Sequence, residues 1–322
     1  MRPLRLIPHE THIHFVGLRR LFFAASLAAV VASGGLFFVR GLNLGIDFLG
    51  GIMLEVQTPG PANLARMRST LAGLGLGEVV LQEFGAPNDV LIRVALPQGD
   101  ENAKLAVIGA VKQALAGLGD GEMVYRRVET VGAKVSAELV KNGIIAVVAA
   151  VMLMLLYIWF RFEWQFSIGA VVALVHDVAL TIGLFALTSI EFNLASIAAI
   201  LTIVGYSIND TVVVYDRVRE NLRKYKTMPM EELADLSLNQ TLSRTTMTSM
   251  TTLLALFALY LFGGKVIAGF VIAMMWGVVV GTYSSVFIAV SLLLEMQPHR
   301  AGEVDTAVIA AGREGGKRSD RH

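Results

Sequence analysis

Four ionisable side chains stand where water is scarce. His176 and Asp177 fall inside one long apolar run, Asp210 inside the next, and Arg244 at the mouth of the one after. A charged group at mid-membrane costs about 2.5–3.5 kcal/mol on insertion scales, so proton exchange is the first chemistry such residues suggest. Asp210 has Tyr206 and Ser207 on the preceding turn and Asn209 beside it, a polar stripe in an Ile, Val and Ala helix that is expected to face a bundle interior. Arg244 carries Thr248, Thr251 and Thr252 at i+4, i+7 and i+8 on its own helical face. An acid and a base that pair when the acid is ionised, and part when it is protonated, form a two-state element that a proton can bias. Asp210 and Arg244 are therefore the candidate relay, with Asp177 as a second candidate. Tyr206, Ser207, Asn209 and Thr248 form the supporting polar face. Blander readings stand beside this one: Arg244 snorkelling to the headgroups, Asp210 belonging to a polar helix end with Asp216 and Arg217, and His176 with Asp177 as a satisfied structural pair.

The elements that must hold these residues follow from composition. Of 322 residues, 55% are hydrophobic and 16% charged, against about 25% charged in soluble domains, and mean hydropathy is +0.62, which excludes a soluble enzyme. Six stretches reach the ~20 residues a membrane span needs, at 20–39, 141–160, 168–188, 192–214, 246–264 and 266–294. Basic residues cluster before the first span, at Arg161, from Arg217 to Lys226 and after the last span, whereas the opposite short loops hold only Glu191 and Lys265. By the positive-inside rule both termini are cytoplasmic and the segment between the first two spans is exported. A cleaved signal peptide competes for residues 1–33, but the apolar run Leu21–Val39 is too long for its hydrophobic region. The expected layout is a cytoplasmic arm at 1–19, a first span at 20–39, an exported domain at 41–140, five spans within 141–294, and a disordered cytoplasmic tail at 295–322. Small residues at Gly269, Ala273, Gly277, Gly281 and Ser285 form a ridge for close packing, within this chain or with a partner helix.

Between spans one and two the periodicity alternates between strand and helix in the order βαββαβ. The run from Leu71 to Glu78 recurs 44 positions later from Leu115 to Glu122, marking two βαβ halves of a small α+β ferredoxin-like domain. Its Gly-x-Gly-x-Gly runs follow helices, whereas a dinucleotide loop follows a strand, so they are turn glycines. There is no phosphate-binding loop and no cysteine, and a net charge of +1 gives no sign of a nucleic-acid partner. No nucleophile–base pair or metal constellation supports an enzyme.

These marks resemble the SecF family, the smaller subunit of the bacterial SecDF accessory complex of the Sec translocase, which is related to RND-type proton-driven transporters. The resemblance covers roughly 18–296. It rests on Leu44-Gly45-Ile46-Asp47-Phe48-Leu49-Gly50-Gly51, on Ala173-Leu174-Val175-His176-Asp177, on the run from Val204 to Arg217, and on Ser243-Arg244-Thr245-Thr246-Met247-Thr248-Ser249. It implies an α-helical polytopic protein, an RND-type half of six spans with the small domain between the first two, in the bacterial cytoplasmic membrane. It implies that Asp210 and Arg244 match the family's proton-coupling positions, with no cofactor beyond a coupling proton, or sodium in its place. SecD, the SecYEG translocon with its associated subunits, a preprotein and membrane lipid are the implied partners. The implied role is proton-driven late-stage export. A non-transducing scaffold and a half-size RND-type exporter of small molecules are the alternatives.

Overall fold

In the computed structural model of this chain, residues 11–77, 79–95, 101–118 and 121–296 are described; expectations for 1–10, for Glu78, Leu96 and Gly119, and for the tail beyond 296 lie outside them. The chain divides into two compact units. One comprises 42–149 with 189–197, and the other the described parts of 1–41, 150–188 and 198–322.

The first unit holds a short helix α2 (Ile46–Leu49), then β1 (Gly51–Gln57), α3 (Leu64–Ala72), β2 (Val79–Phe84), β3 (Ala86–Val94), α4 (Glu101–Ala116) and β4 (Val124–Val131). The strands form one antiparallel sheet in the order β2-β3-β1-β4, so each βαβ half is split by a strand of the other, as in ferredoxin-like domains. Alternation along β1 directs Ile52, Leu54 and Val56 to one face, where they bury with Val90, Ile92, Met67, Leu71, Val111 and Leu115. Burying each such side chain contributes about 1.5–3 kcal/mol, so the two helices on this face account for most of the unit's cohesion. The opposite face has no helix from the repeat. There β1 and β3 place Met53, Glu55, Leu91 and Arg93, all buried. Gly50 precedes β1 and Gly51 opens it, with φ of 70° and 129°, and a side chain on Gly51 would come within 2.7 Å of the Val94 carbonyl oxygen.

Among the described residues, six helices are long and apolar enough to cross a membrane. They are α1 (Arg19–Arg40), α5 (Ala133–Arg161), α6 (Trp164–Thr188), α7 (Leu194–Lys224), α8 (Met230–Phe262), and a last span that runs through α9 (Ala268–Ser284), a π-helical turn (Ser285–Ala289) and α10 (Val290–Glu295). Helix α8 begins 16 residues before the expected fifth span. Glu231, Glu232, Asp235 and Gln240 make that stretch too polar to count as a span, yet Leu233, Ala234 and Leu238 recur on one face and bury against Val214, Tyr215, Val218 and Leu222 of α7. The residues leading into α1 are held by side chains of α8. Val16 N–H donates to Asp235 at 2.9 Å, Ile13 N–H to Asn239 at 3.0 Å, and Arg19 pairs with Glu231 at 2.6 Å, which ties 13–19 to α8.

The small-residue ridge of the last span serves packing within the chain. A methyl group on Gly277 would overlap the Ile203 side chain, and one on Gly281 would lie 3.1 Å from Ser207 Cβ, so α9 lies directly against α7.

Candidate functional site

Close approach of α9 to α7 is what assembles a polar core among the spans. Asp177 on α6 is fully buried, and its Oδ2 accepts from Ser207 Oγ of α7 at 2.5 Å and Ser284 Oγ of α9 at 2.7 Å. His176 Nδ1 lies 2.9 Å from its other oxygen, while His176 Nε2 is buried with no partner among the described residues. Asp210 on α7 is also buried; Oδ1 accepts from Thr245 Oγ1 of α8 at 2.7 Å and Oδ2 from Ser285 Oγ at 2.7 Å. The adjacent Ser284 and Ser285 thus reach one carboxylate each. They sit where the α-helix passes into the π-helical turn, a local rewinding found often at functional sites. A third chain of hydroxyls runs from Tyr206 to Ser249 at 3.2 Å and on to Thr282 at 2.6 Å, joining α7, α8 and α9.

Two of the expected supporting residues, Tyr206 and Ser207, point into this core. Asn209 and Thr248 stand on exposed faces. Arg244 is exposed too, and no ion pair joins it to Asp210 among the described residues. The reason is rotational. Arg244 precedes Thr245 by one residue, about 100° around α8, so the turn that aims Thr245 at Asp210 turns Arg244 onto the neighbouring face with Thr248 and Thr251. Those threonine hydroxyls bond back to carbonyls of their own helix, at 2.8 Å in each case.

Sequence reasoning assigned no role to Ser284, Thr245, Ser249 or Thr282. The available signal was hydroxyl residues at helical spacing beside the glycine ridge, a pattern that also fits plain packing. Chemically, Asp177 has His176 beside its hydroxyl partners, whereas Asp210 has only neutral hydroxyls as its hydrogen-bonding partners among the described residues. Such a site can take up or release a proton without leaving an opposite buried charge stranded, and each change of charge alters the pull on three helices.

A second polar cluster lies wholly in the other unit, on the sheet face opposite α3 and α4. Arg93 donates to the Leu44 carbonyl and, at 2.6 Å, to Asn43 Oδ1; Asn43 Nδ2 donates to Gln82 Oε1 and to the Ser189 carbonyl, each at 2.8 Å. Asp47 accepts from the Leu194 N–H at 3.0 Å, at the start of α7. Burial pushes the Glu191 carboxyl above its ordinary range; Arg93 and Arg127 oppose the shift, while Asp47 and Glu129 add to it. Neither Arg93 nor Glu191 was singled out by sequence, since their partners are distant along the chain.

Three comparisons bear on these two clusters. The family model for the protein export membrane protein SecD/SecF, C-terminal, matches residues 110–299, and that for the SecD/SecF GG motif matches 35–58, which includes the Gly50–Gly51 entry to β1. Protein translocase subunit SecF of Cereibacter sphaeroides is 46% identical over 305 residues, covering 93% of this chain and 94% of that relative. The SecF subunit of Rickettsia akari is 43% identical over 291 residues, covering 90% and 94%. The crystal structure of SecDF, a translocon-associated membrane protein, from Thermus thermophilus superposes with a TM-score of 0.81 at 36% identity over 92% of this chain; the match spans 40% of that longer protein. With six membrane-length helices, the split βαβ domain and relatives matched nearly end to end, the chain is a multi-pass membrane protein that belongs to the SecF branch of the SecD/SecF family.

Proposed function

We propose that this chain is the SecF subunit of a SecDF pair that works with the SecYEG translocon and uses the proton motive force to complete export of preproteins across the bacterial cytoplasmic membrane. Both termini lie in the cytoplasm and the βαββαβ domain on the outer side. The observation that carries this reading is the setting of Asp210: a buried carboxylate in a bundle of apolar spans, bonded by hydroxyls from α8 and from the π-helical turn, with Arg244 close in sequence to one donor yet without an ion pair among the described residues. Protonation of Asp210 weakens what holds α7 to its neighbours. Ionisation strengthens those bonds and draws Arg244 toward the acid, and the cycle shifts α7 and α8 by turns. The energy suffices, since one proton crossing ~100 mV releases about 2.3 kcal/mol and about 1.4 kcal/mol already shifts an equilibrium tenfold.

Inverted vesicles holding SecD with either the wild-type or the Asp210→Asn chain test this. Export of a tagged preprotein, normalised to membrane abundance, is expected to gain from a proton gradient only with the wild-type chain. An unchanged gain in the variant would leave the chain a scaffold and move the coupling carboxylate to its partner. A gain that followed a sodium gradient instead would change the ion and keep the site.

A further inference from the structure

At the opposite end of α7 from its N-terminus, residues 216, 219, 220 and 223 recur on one face, and with Lys224 and the end of α5 they line an open cavity of about 570 Å³ bounded by Arg161, Asp216, Arg219, Glu220, Arg223 and Lys224. The charges within it are unevenly matched. Arg161 Nη2 donates to both oxygens of Asp216, at 2.8 and 3.0 Å, and Glu220 pairs at 3.0 Å with Arg217, which does not line the cavity. Both acids are thereby satisfied. Arg219 lies over the Phe162 ring and bonds the Arg161 carbonyl at 3.4 Å, Lys224 lies over the Tyr225 ring, and Arg223 is exposed; none of the three has a carboxylate partner among the described residues. Three cations therefore face one cavity with their charge uncompensated.

The surroundings narrow the ligand. Trp159, Phe160 and Trp164 stand within three residues of Arg161 and are 72%, 89% and 56% exposed, and an apolar stripe of Ile145, Val148, Met152 and Leu156 leads to them along the exposed face of α5. Exposed aromatic rings beside cations, at the end of an apolar stripe, mark the headgroup level of a membrane. A free phosphate would use the cations and have no use for the rings or the stripe; a lipid would use all three. We propose that this cavity binds the phosphate headgroup of an anionic membrane lipid, with the acyl chains along α5. Basic pockets between spans are the usual seat of such headgroups. Occupancy would tie the α5–α6 turn to α7 about 9 Å along the helix from Asp210.

Native mass spectrometry of the full chain in mild detergent, titrated with cardiolipin, phosphatidylcholine or inorganic phosphate, tests this. Wild-type chain is expected to retain cardiolipin well above phosphatidylcholine, and inorganic phosphate at the same phosphate concentration is expected not to displace it. The Arg223→Gln/Lys224→Gln double variant, which removes only exposed side chains, should weaken cardiolipin by about 30-fold, the ratio that corresponds to about 2 kcal/mol. Adding Arg219→Gln should weaken it further. Arg68→Gln/Lys134→Gln/Lys141→Gln, which removes at least as much charge from exposed positions elsewhere, should leave binding unchanged. Equal loss in that control would reduce the effect to bulk charge and overturn the site. Displacement by inorganic phosphate would make it a phosphate site, and cardiolipin held no better than phosphatidylcholine would assign the patch to a protein partner.

Discussion

The two polar clusters of this molecule solve the same problem in opposite ways. Among the spans, Asp177 and Asp210 are met on neighbouring helices by Ser207, Ser284, Ser285 and Thr245, which bring donors and no charge. On the sheet face opposite α3 and α4, Asp47, Glu129 and Glu191 share their space with Arg93 and Arg127. Hydroxyl donors leave the charge of a carboxylate free to change, because no buried cation is stranded when it is neutralised. Nearby guanidinium groups favour the charged form, although at Glu191 burial outweighs them. On the proposed function the first cluster moves with a proton, whereas the second holds Leu42–Leu49 and the 189–197 segment on the sheet through Arg93, Asn43 and Asp47.

The largest expected effect breaks the first cluster. Asp210→Asn keeps the shape and the acceptor oxygen but not the changing charge, and should reduce gradient-driven export at least about tenfold at normal abundance. Next comes Arg93→Met, which strands the Leu44 carbonyl and Asn43 and should destabilise their unit by about 1.5–3 kcal/mol, read as faster hydrogen exchange over 43–49 with the span helices still protected. Gly277→Ala should lower the melting temperature by pressing α9 away from Ile203, at a cost of about 1–3 kcal/mol. Ser285→Ala removes one donor and should cost about 0.5–1.5 kcal/mol, with export reduced less than by Asp210→Asn.

The smallest effect sharpens the comparison through pH. Because burial raises the folded-state pKa of Glu191, the folded protein binds this proton more tightly than the unfolded chain does. Its contribution is complete below the ordinary carboxylate range and is lost as pH rises through the raised value. Hydrogen exchange of the sheet unit should therefore slow as pH falls across that window, after correction for intrinsic rates. Glu191→Gln should flatten the response.

How far the sequence showed this depends on how local each signal is. The βαββαβ order was legible because alternation in β1 and helical periodicity in α3 and α4 are read within a few residues. The spans were legible from hydropathy alone, except where Glu231, Glu232 and Asp235 hid the start of α8. Asp210 and Asp177 stood out as isolated charges in apolar runs. Their partners did not: Ser284 and Ser285 read equally well as small packing residues, and the π-helical turn that aims them leaves no mark in composition. Arg244 was placed toward Asp210 by spacing between helices, but a single residue of rotation decides which side chain on α8 faces α7, and Thr245 has that place. Arg93 sits in a Val-Leu-Ile-Arg-Val run and looked like an ordinary strand residue, since Asn43 and Leu44 are about fifty positions away.

The central claim is that Asp210 exchanges a proton in its hydroxyl-lined setting. Infrared difference spectroscopy of the full chain in membranes, wild type minus Asp210→Asn, reads that proton through the carbonyl band of a protonated carboxylic acid. The account predicts a band that is present at low pH, disappears over a titration from acid to alkaline pH, and is missing from the variant throughout. A carboxyl that stayed in one protonation state across that range would contradict it and leave Asp210 as a structural bond between α7, α8 and the last span.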